Sequence, residues 1–277
     1  MKIAVLSGKG GTGKTTVAVN LATVLACRYV DCDVEAPNGF LFLQPTVESK
    51  QDVLLQVPEI DHALCTRCQE CVNHCQFNAL LGAGSRINLF EKLCHSCGLC
   101  TLVCRFEAIK EKPRVIGYVE YGKRGQQECW RGVLTPGEPM GVPIIDALKD
   151  KLADGWSMLD APPGSSCSVV ATAIDTDFAI LVTEPTPFGV HDLDMATRVI
   201  RKLGVRGALV INRSVGDDRL IEDYAATNGI PVIGRLPFSL GAAQAIARGE
   251  LLVQLPKWRA RFEELGNRVR ELVGWTS

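Results

Sequence analysis

Lys2 to Ala26 reads KIAVLSGKGGTGKTTVAVNLATVLA, and the order of its parts decides how the rest of the chain must fold. Lys2 to Ser7 is a short apolar run of strand length. Gly8-Lys9-Gly10-Gly11-Thr12-Gly13-Lys14-Thr15-Thr16 follows and satisfies G-x4-G-K-[ST]. Val17 to Ala26 then reads as a helix. Strand, glycine loop and helix in this order build a phosphate cradle. The glycines let backbone N–H groups approach phosphate oxygens, and the helix N-terminus adds partial positive charge. Lys14 is placed to reach the β/γ-phosphates and Thr15 to hold magnesium, so the loop Gly8 to Thr16 predicts an ATP/ADP and Mg2+ site.

Downstream, the pattern alternates strand and helix. Strands are expected at Trp156–Asp160, Phe178–Thr183, Ala208–Ile211 and Pro231–Leu236. Helices are expected at His191–Leu203, Arg219–Thr227, Ala242–Arg248 and Pro256–Val273. Such alternation predicts an α/β fold, a parallel sheet with helices on both faces, whose ligands bind at the carboxyl ends of the strands. Residues 114–150 are rich in Gly and Pro and show no clear period.

Between these parts lie two identical cysteine runs. Cys65, Cys68, Cys71 and Cys75 are spaced C-x2-C-x2-C-x3-C, and Cys94, Cys97, Cys100 and Cys104 repeat the spacing 29 residues later. Leu64 and Leu93 precede the runs, and Phe77-x-Ala79 matches Phe106-x-Ala108 after them. Three thiolates of one run wrap a cubic iron–sulfur cluster while the fourth serves the other cluster. One 4Fe-4S cluster is therefore expected on Cys65, Cys68, Cys71 and Cys104, and a second on Cys94, Cys97, Cys100 and Cys75. The proline that usually follows the fourth cysteine is replaced by Gln76 and Arg105. Pro58 and Pro113 flank the runs, so an α+β insert over 58–112 is expected to interrupt one domain made of 1–57 and 113–277.

The whole chain has 277 residues, 47% hydrophobic and 22% charged, with a net charge of -1. That composition is ordinary for a globular protein, and the charge gives no basic bias toward nucleic acid or anionic lipid. No apolar run approaches the length of a membrane span, and Ile3 to Leu6 is too short for a signal-peptide core. Twelve cysteines without an export signal point to a reducing, cytoplasmic setting.

The form KGGxGKT, with Lys9 inside the loop, resembles the deviant Walker A of MinD/ParA/Mrp and nitrogenase iron-protein ATPases. The resemblance continues through Asp31-Cys32-Asp33-Val34-Glu35-Ala36-Pro37-Asn38, which looks like switch I, and through Asp160-Ala161-Pro162-Pro163-Gly164, which looks like Walker B and switch II. The whole chain is similar to those MinD-like ATPases that contain an inserted two-cluster ferredoxin domain. The resemblance implies that Lys9 crosses a dimer interface to the partner's nucleotide, that Asp33 orients or activates the attacking water, and that Asp31 and Asp160 serve magnesium directly or through water. It places Asn212 and Arg213 at the adenine. It also implies an ATP-dependent homodimer, or a heterodimer with a paralogous ATPase, and a redox protein partner.

Cys27, Cys32, Cys129 and Cys167 lie outside the runs and read first as small buried apolar residues. The nitrogenase iron protein carries a cluster ligand in the segment equivalent to Cys167, which adds a second reading: a cluster between subunits held by Cys167 and Cys129. The preferred function is an ATP-hydrolysing iron–sulfur protein in which nucleotide state gates electron transfer or docking. An iron–sulfur cluster carrier and a spatial-positioning ATPase are the alternatives.

Overall fold

A computed structural model describes residues 1–274. The chain divides into two compact units. The larger takes Met1–Gln51, Val119–Val133 and the chain from Gly141 onward; the smaller takes Asp52–Tyr118 and Leu134–Met140.

In the larger unit β1 (Lys2–Leu6), α1 (Lys14–Val24), β2 (Arg28–Asp31) and α2 (Gly39–Leu43) come first. After them come α5 (Val142–Asp150), β8 (Ser157–Asp160), α6 (Cys167–Ala173), β9 (Phe178–Thr183), α7 (Pro187–Lys202), β10 (Gly207–Ser214), α8 (Arg219–Asn228), β11 (Val232–Pro237), α9 (Leu240–Ala247) and α10 (Pro256–Val273). Two long strands, β3 (Thr46–Ile60) and β6 (Ile109–Arg124), and the shorter β7 (Gln127–Leu134) complete a nine-stranded sheet in the order β11-β10-β9-β1-β8-β2-β7-β6-β3. The β1·β8, β1·β9, β9·β10, β10·β11, β2·β8 and β2·β7 pairs are parallel.

Side-chain alternation along the strands builds a core on each face. Ile3 and Val5 of β1, Phe178, Ile180 and Val182 of β9, and Ala208 and Val210 of β10 pack with Val17 and Leu21 of α1 and Phe262, Leu265 and Val269 of α10. The residues between them, Ala4, Leu6, Ala179, Leu181, Leu209 and Ile211, pack with Leu193, Ala196 and Ile200 of α7 and Ile221 and Ala225 of α8. A strand buried on both faces reads as a continuous apolar run, which is why the period-2 signal was absent there. The doubly covered parallel sheet expected from the sequence is therefore present. Helix α10 falls on its expected bounds and buries Trp258, Phe262, Leu265 and Val269. Helix α7 starts four residues before the expected His191, because Thr186 accepts a hydrogen bond from Gly189 N at 2.9 Å and Pro187 takes the first helical position.

The smaller unit holds both cysteine runs. It contains α3 (Glu70–Asn73), α4 (Leu99–Leu102) and the antiparallel pair β4 (Leu80–Ala83) and β5 (Arg86–Leu89). The internal repeat is written into the backbone. Helices α3 and α4 sit 29 residues apart, and so do three pairs of left-handed residues: Arg67 and Ser96 (φ 61 and 57), Gln69 and Gly98 (φ 67 and 70), Asn78 and Glu107 (φ 51 and 52). Non-glycine residues enter this region at a cost, so its recurrence at matching positions marks one local design used twice. Leu134–Met140 joins this unit through Thr135 N, which donates to the Ile116 carbonyl at 2.9 Å, and through Glu138, which accepts two hydrogen bonds from the Arg114 guanidinium at 2.5 and 3.1 Å.

No period was legible over 114–150, and much of it is strand. Strands β6 and β7 are hydrogen-bonded neighbours joined by Gly125 and Gln126 alone, which makes them an antiparallel hairpin. Pro58 and Pro113 lie inside β3 and β6. Among the described residues no helix is long and apolar enough to cross a membrane.

Candidate functional site

The larger unit carries a cavity of about 560 Å3 lined by the whole loop from Lys9 to Thr16. It sits past the carboxyl ends of β1, β2 and β10, where a parallel sheet presents its loops. Asp33, Asn38, Asn212 and Arg213 line it too, with Phe42, Ile246, Leu252 and Trp258 along its apolar wall. Most of the expected nucleotide residues thus share one cavity. Gly8 does not line it and packs instead on the Asp192 backbone of α7.

Gly13, the last loop residue before α1, has φ +85, and a Cβ there would meet Asn212 Nδ2 at 2.2 Å. Glycine is needed at that point for both conformation and space. The Asn212 amide donates to the Thr12 carbonyl at 2.7 Å, so this side chain braces the loop as well as facing the cavity. Arg213 also has a left-handed backbone, φ 53, and pairs with Glu184 at 2.7 Å.

Behind the loop lies a buried charge cluster. Lys14 Nζ is 2.5 Å from Asp160 Oδ1, with the two side chains 6% and 0% exposed. Strand register sets Asp31 beside Asp160. Asp31 accepts from Gly39 N at 2.9 Å and Asp33 N at 3.2 Å. Burial, then the Asp160 charge, push the Asp31 carboxyl up to about 7, against the opposing pull of the Gly39 N–H and Lys14. Burial also raises the Asp33 carboxyl, with Lys14 opposing. Tyr29, a residue the sequence reading passed over, donates its hydroxyl to Asp160 Oδ2 at 3.0 Å from a fully buried position. Tyr29 and Asp31 are two apart on one strand and so share a face, but the partner Asp160 comes from β8 and leaves no local signal. Lys9 is 38% exposed and lies 3.8 Å from Asp192. Gly164 N donates to the Ser7 carbonyl at 3.0 Å, tying the segment after β8 to the start of the loop.

In the smaller unit the eight run cysteines separate into two sets. Cys65, Cys68, Cys71 and Cys104 line one cavity, and Cys75, Cys94, Cys97 and Cys100 line another. Each set takes three thiols from one run and the fourth from the other. Burial, then the nearby thiols of Cys100 and Cys65, hold Cys71 up at about 11. Ala79 N donates to Cys75 Sγ at 3.3 Å. Among the described residues no three His, Cys, Asp or Glu side chains converge to hold a metal ion. Four cysteines lining one cavity, three from one run and the fourth from the other, match the ligand set a cubic cluster takes at its corners, and both sets fit the cluster on this ground. Cys68 and Cys97, at matching positions, are exposed.

The bridging site expected from Cys129 and Cys167 requires correction. Cys129 points into the main core, is 0% exposed, and burial pushes its thiol up to about 12. A thiol enclosed by Tyr29, Met158 and other core residues cannot ligate a group lying between two subunits. Cys167 is exposed at the first position of α6; Cys27 and Cys32 are buried, as small apolar residues are.

Comparison with known proteins agrees with this geometry. The CobQ/CobB/MinD/ParA nucleotide binding domain family matches residues 3–253. The chain belongs to this family. An uncharacterized protein of Methanocaldococcus jannaschii is 34% identical, covering 99% of this chain and 98% of its own length. An iron–sulfur cluster carrier protein of Pyrococcus abyssi is 24% identical over 99% of this chain and 88% of its own. Among solved structures, the septum site-determining protein MinD of Pyrococcus horikoshii, complexed with Mg-ADP, superposes with a TM-score of 0.60 at 19% identity, covering 99% of this chain and 97% of that one. The MinD/ParA-type chain described here therefore shares the MinD fold and the family's nucleotide-binding domain.

Proposed function

We propose that this chain is an ATP-hydrolysing iron–sulfur protein in which nucleotide state gates electron transfer or the docking of a redox partner. The observation that carries the reading is the crosswise sorting of eight cysteines into two sets of four, on a chain that also holds a MinD/ParA-type nucleotide cavity.

On this reading the backbone N–H groups of Gly10 to Thr16 and the Lys14 ammonium hold the phosphates. Magnesium brought by the nucleotide would neutralise phosphate charge, with Thr15 and Asp160 as its protein contacts and Asp31 behind them. Asp33, on the cavity wall, orients the attacking water. Lys9 supplies positive charge to the nucleotide of a second subunit, in a homodimer or in a heterodimer with a paralogous chain; its exposure and long contact with Asp192 leave it free to reach outward. Asn212 and Arg213 border the base. The two cysteine sets each hold a 4Fe-4S cluster, which supplies one-electron transfer, with the exposed Cys68 and Cys97 edges nearest solvent. Twelve free cysteines suit a reducing cytoplasm.

A second reading, cluster carriage, is favoured by the similarity to the iron–sulfur cluster carrier protein of Pyrococcus abyssi. Against it, each set joins two separate runs and includes a buried thiol, Cys71 in one and Cys94 in the other. Release would have to open both segments together. A carrier should hand its iron and sulfide to an apo-acceptor, whereas a redox protein should retain them through ATP turnover.

The content of the purified protein tests the shared premise. Anaerobic, iron-replete preparations are expected to hold about eight irons and eight acid-labile sulfides per chain. Zinc with no labile sulfide in such preparations would reject both readings.

A further inference from the structure

Asp160 receives two donors in this structure. Lys14 Nζ approaches Oδ1 at 2.5 Å, and the Tyr29 hydroxyl donates to Oδ2 at 3.0 Å. All three side chains are buried: Asp160 and Tyr29 are 0% exposed and Lys14 is 6% exposed. The hydroxyl is closely housed, since a Cβ on Gly39 would fall 2.0 Å from it. Gly39 N in turn donates to Asp31, whose carboxylate stands beside Asp160 in strand register. The phenol therefore has a fixed place between the start of α2 and the carboxylate that holds the loop lysine.

We infer that Tyr29 is a positioning residue for nucleotide binding: by donating to Asp160 it sets how tightly that carboxylate retains Lys14. The inference rests on the reading above, in which Lys14 serves the nucleotide phosphates. Lys14 has one ammonium group to divide between Asp160 and a phosphate. A buried carboxylate with a second donor needs less from the first, because part of its charge is already met. Remove the phenol oxygen and Oδ2 loses its donor, leaving Lys14 on Oδ1 as the partner that must meet the carboxylate's charge. The ammonium is then drawn more firmly onto Asp160, and an incoming phosphate competes against a stronger pair. Tyr29 thus acts on the nucleotide without touching it.

The test is a double-mutant cycle on the full chain, measuring ATP binding by calorimetry with EDTA present so that divalent cations play no part. Tyr29→Phe keeps the ring and its packing, and Asp160 keeps Lys14, so the variant folds. Lys14→Gln removes the ammonium but leaves an amide to donate to Asp160, which protects the double variant from an unpartnered buried carboxylate. Tyr29→Phe alone is expected to weaken ATP binding about tenfold, the scale of a hydrogen bond to a charged group. In the Lys14→Gln background the same change is expected to shift binding less than about twofold, because no ammonium is left to be retained. A general packing defect would weaken both backgrounds alike. Equal binding by wild type and Tyr29→Phe, or equal weakening in both backgrounds, overturns the role of Tyr29 and leaves the nucleotide reading standing. Wild-type binding that is seen only when magnesium is restored overturns the inference alone, and failure to bind ATP with magnesium present overturns the reading and the inference together.

Discussion

Asp33→Ala is expected to bind ATP with near wild-type affinity and to hydrolyse it about 100-fold or more slowly in a single turnover, the scale of a lost proton-handling group. Asp33 lines the nucleotide cavity two residues past the end of β2. Its backbone is fixed from both sides: its N–H donates to Asp31 at 3.2 Å and its carbonyl accepts from Ala36 N at 3.1 Å. Among the described residues its carboxylate makes no hydrogen bond to the phosphate loop, and partial burial raises its proton affinity against the pull of the Lys14 charge. On the proposed reading a group so placed orients water beside the terminal phosphate without holding the nucleotide. Its loss therefore falls on the rate and spares affinity. Asp160→Ala is the contrasting control. On the proposed reading Asp160 is a magnesium contact, so its removal should weaken the magnesium-dependent part of binding, even though it also releases its buried partner Lys14. Wild-type hydrolysis by Asp33→Ala would remove Asp33 from the chemistry and leave the family fold without this mechanism.

The second large effect concerns the crossed cysteine sets. Cys104 belongs to the second run but lines the cavity of Cys65, Cys68 and Cys71. Cys104→Ser is expected to lower iron from about eight to about four per chain, through loss of one cubic cluster. Thiol alkylation followed by peptide mapping should then label Cys65, Cys68 and Cys71 and leave Cys94, Cys97 and Cys100 protected. Cys75→Ser should give the mirror result, because Cys75 lines the other cavity. Labelling of Cys94, Cys97 and Cys100 in Cys104→Ser would mean that each run keeps its own cluster.

Much of this was legible because the chemistry demands local sequence. A phosphate loop must place glycines and a lysine within a few residues between strand and helix, so Lys2 to Ala26 announced both the fold and the cavity. Cluster ligation fixes cysteine spacing, and the 29-residue repeat carried through to matching helices and matching left-handed backbone positions. What stayed hidden depends on contacts across the chain. Tyr29 looks like an ordinary strand residue until β8 brings Asp160 beside it. The strands in 114–150 showed no amphipathic period, and Leu134–Met140 is attached to the smaller unit by long-range contacts, the Arg114–Glu138 ion pair and the Thr135 N–H to the Ile116 carbonyl. Cys129 seemed available to a second subunit because sequence does not reveal which face of β7 meets the core. Neighbouring Tyr29 in register, it is enclosed there.

The claim that nucleotide state governs the clusters is tested most directly by redox titration of the holoprotein under electron paramagnetic resonance, with and without ATP and magnesium. The account expects at least one cluster potential to move by about 60 mV or more on adding ATP, a tenfold change for a one-electron couple. It expects no movement in Lys14→Gln, which keeps its clusters and loses the ammonium that answers the phosphates. Superimposable wild-type titrations in the two conditions would contradict it, leaving an ATPase and a two-cluster unit that share one chain without acting on each other.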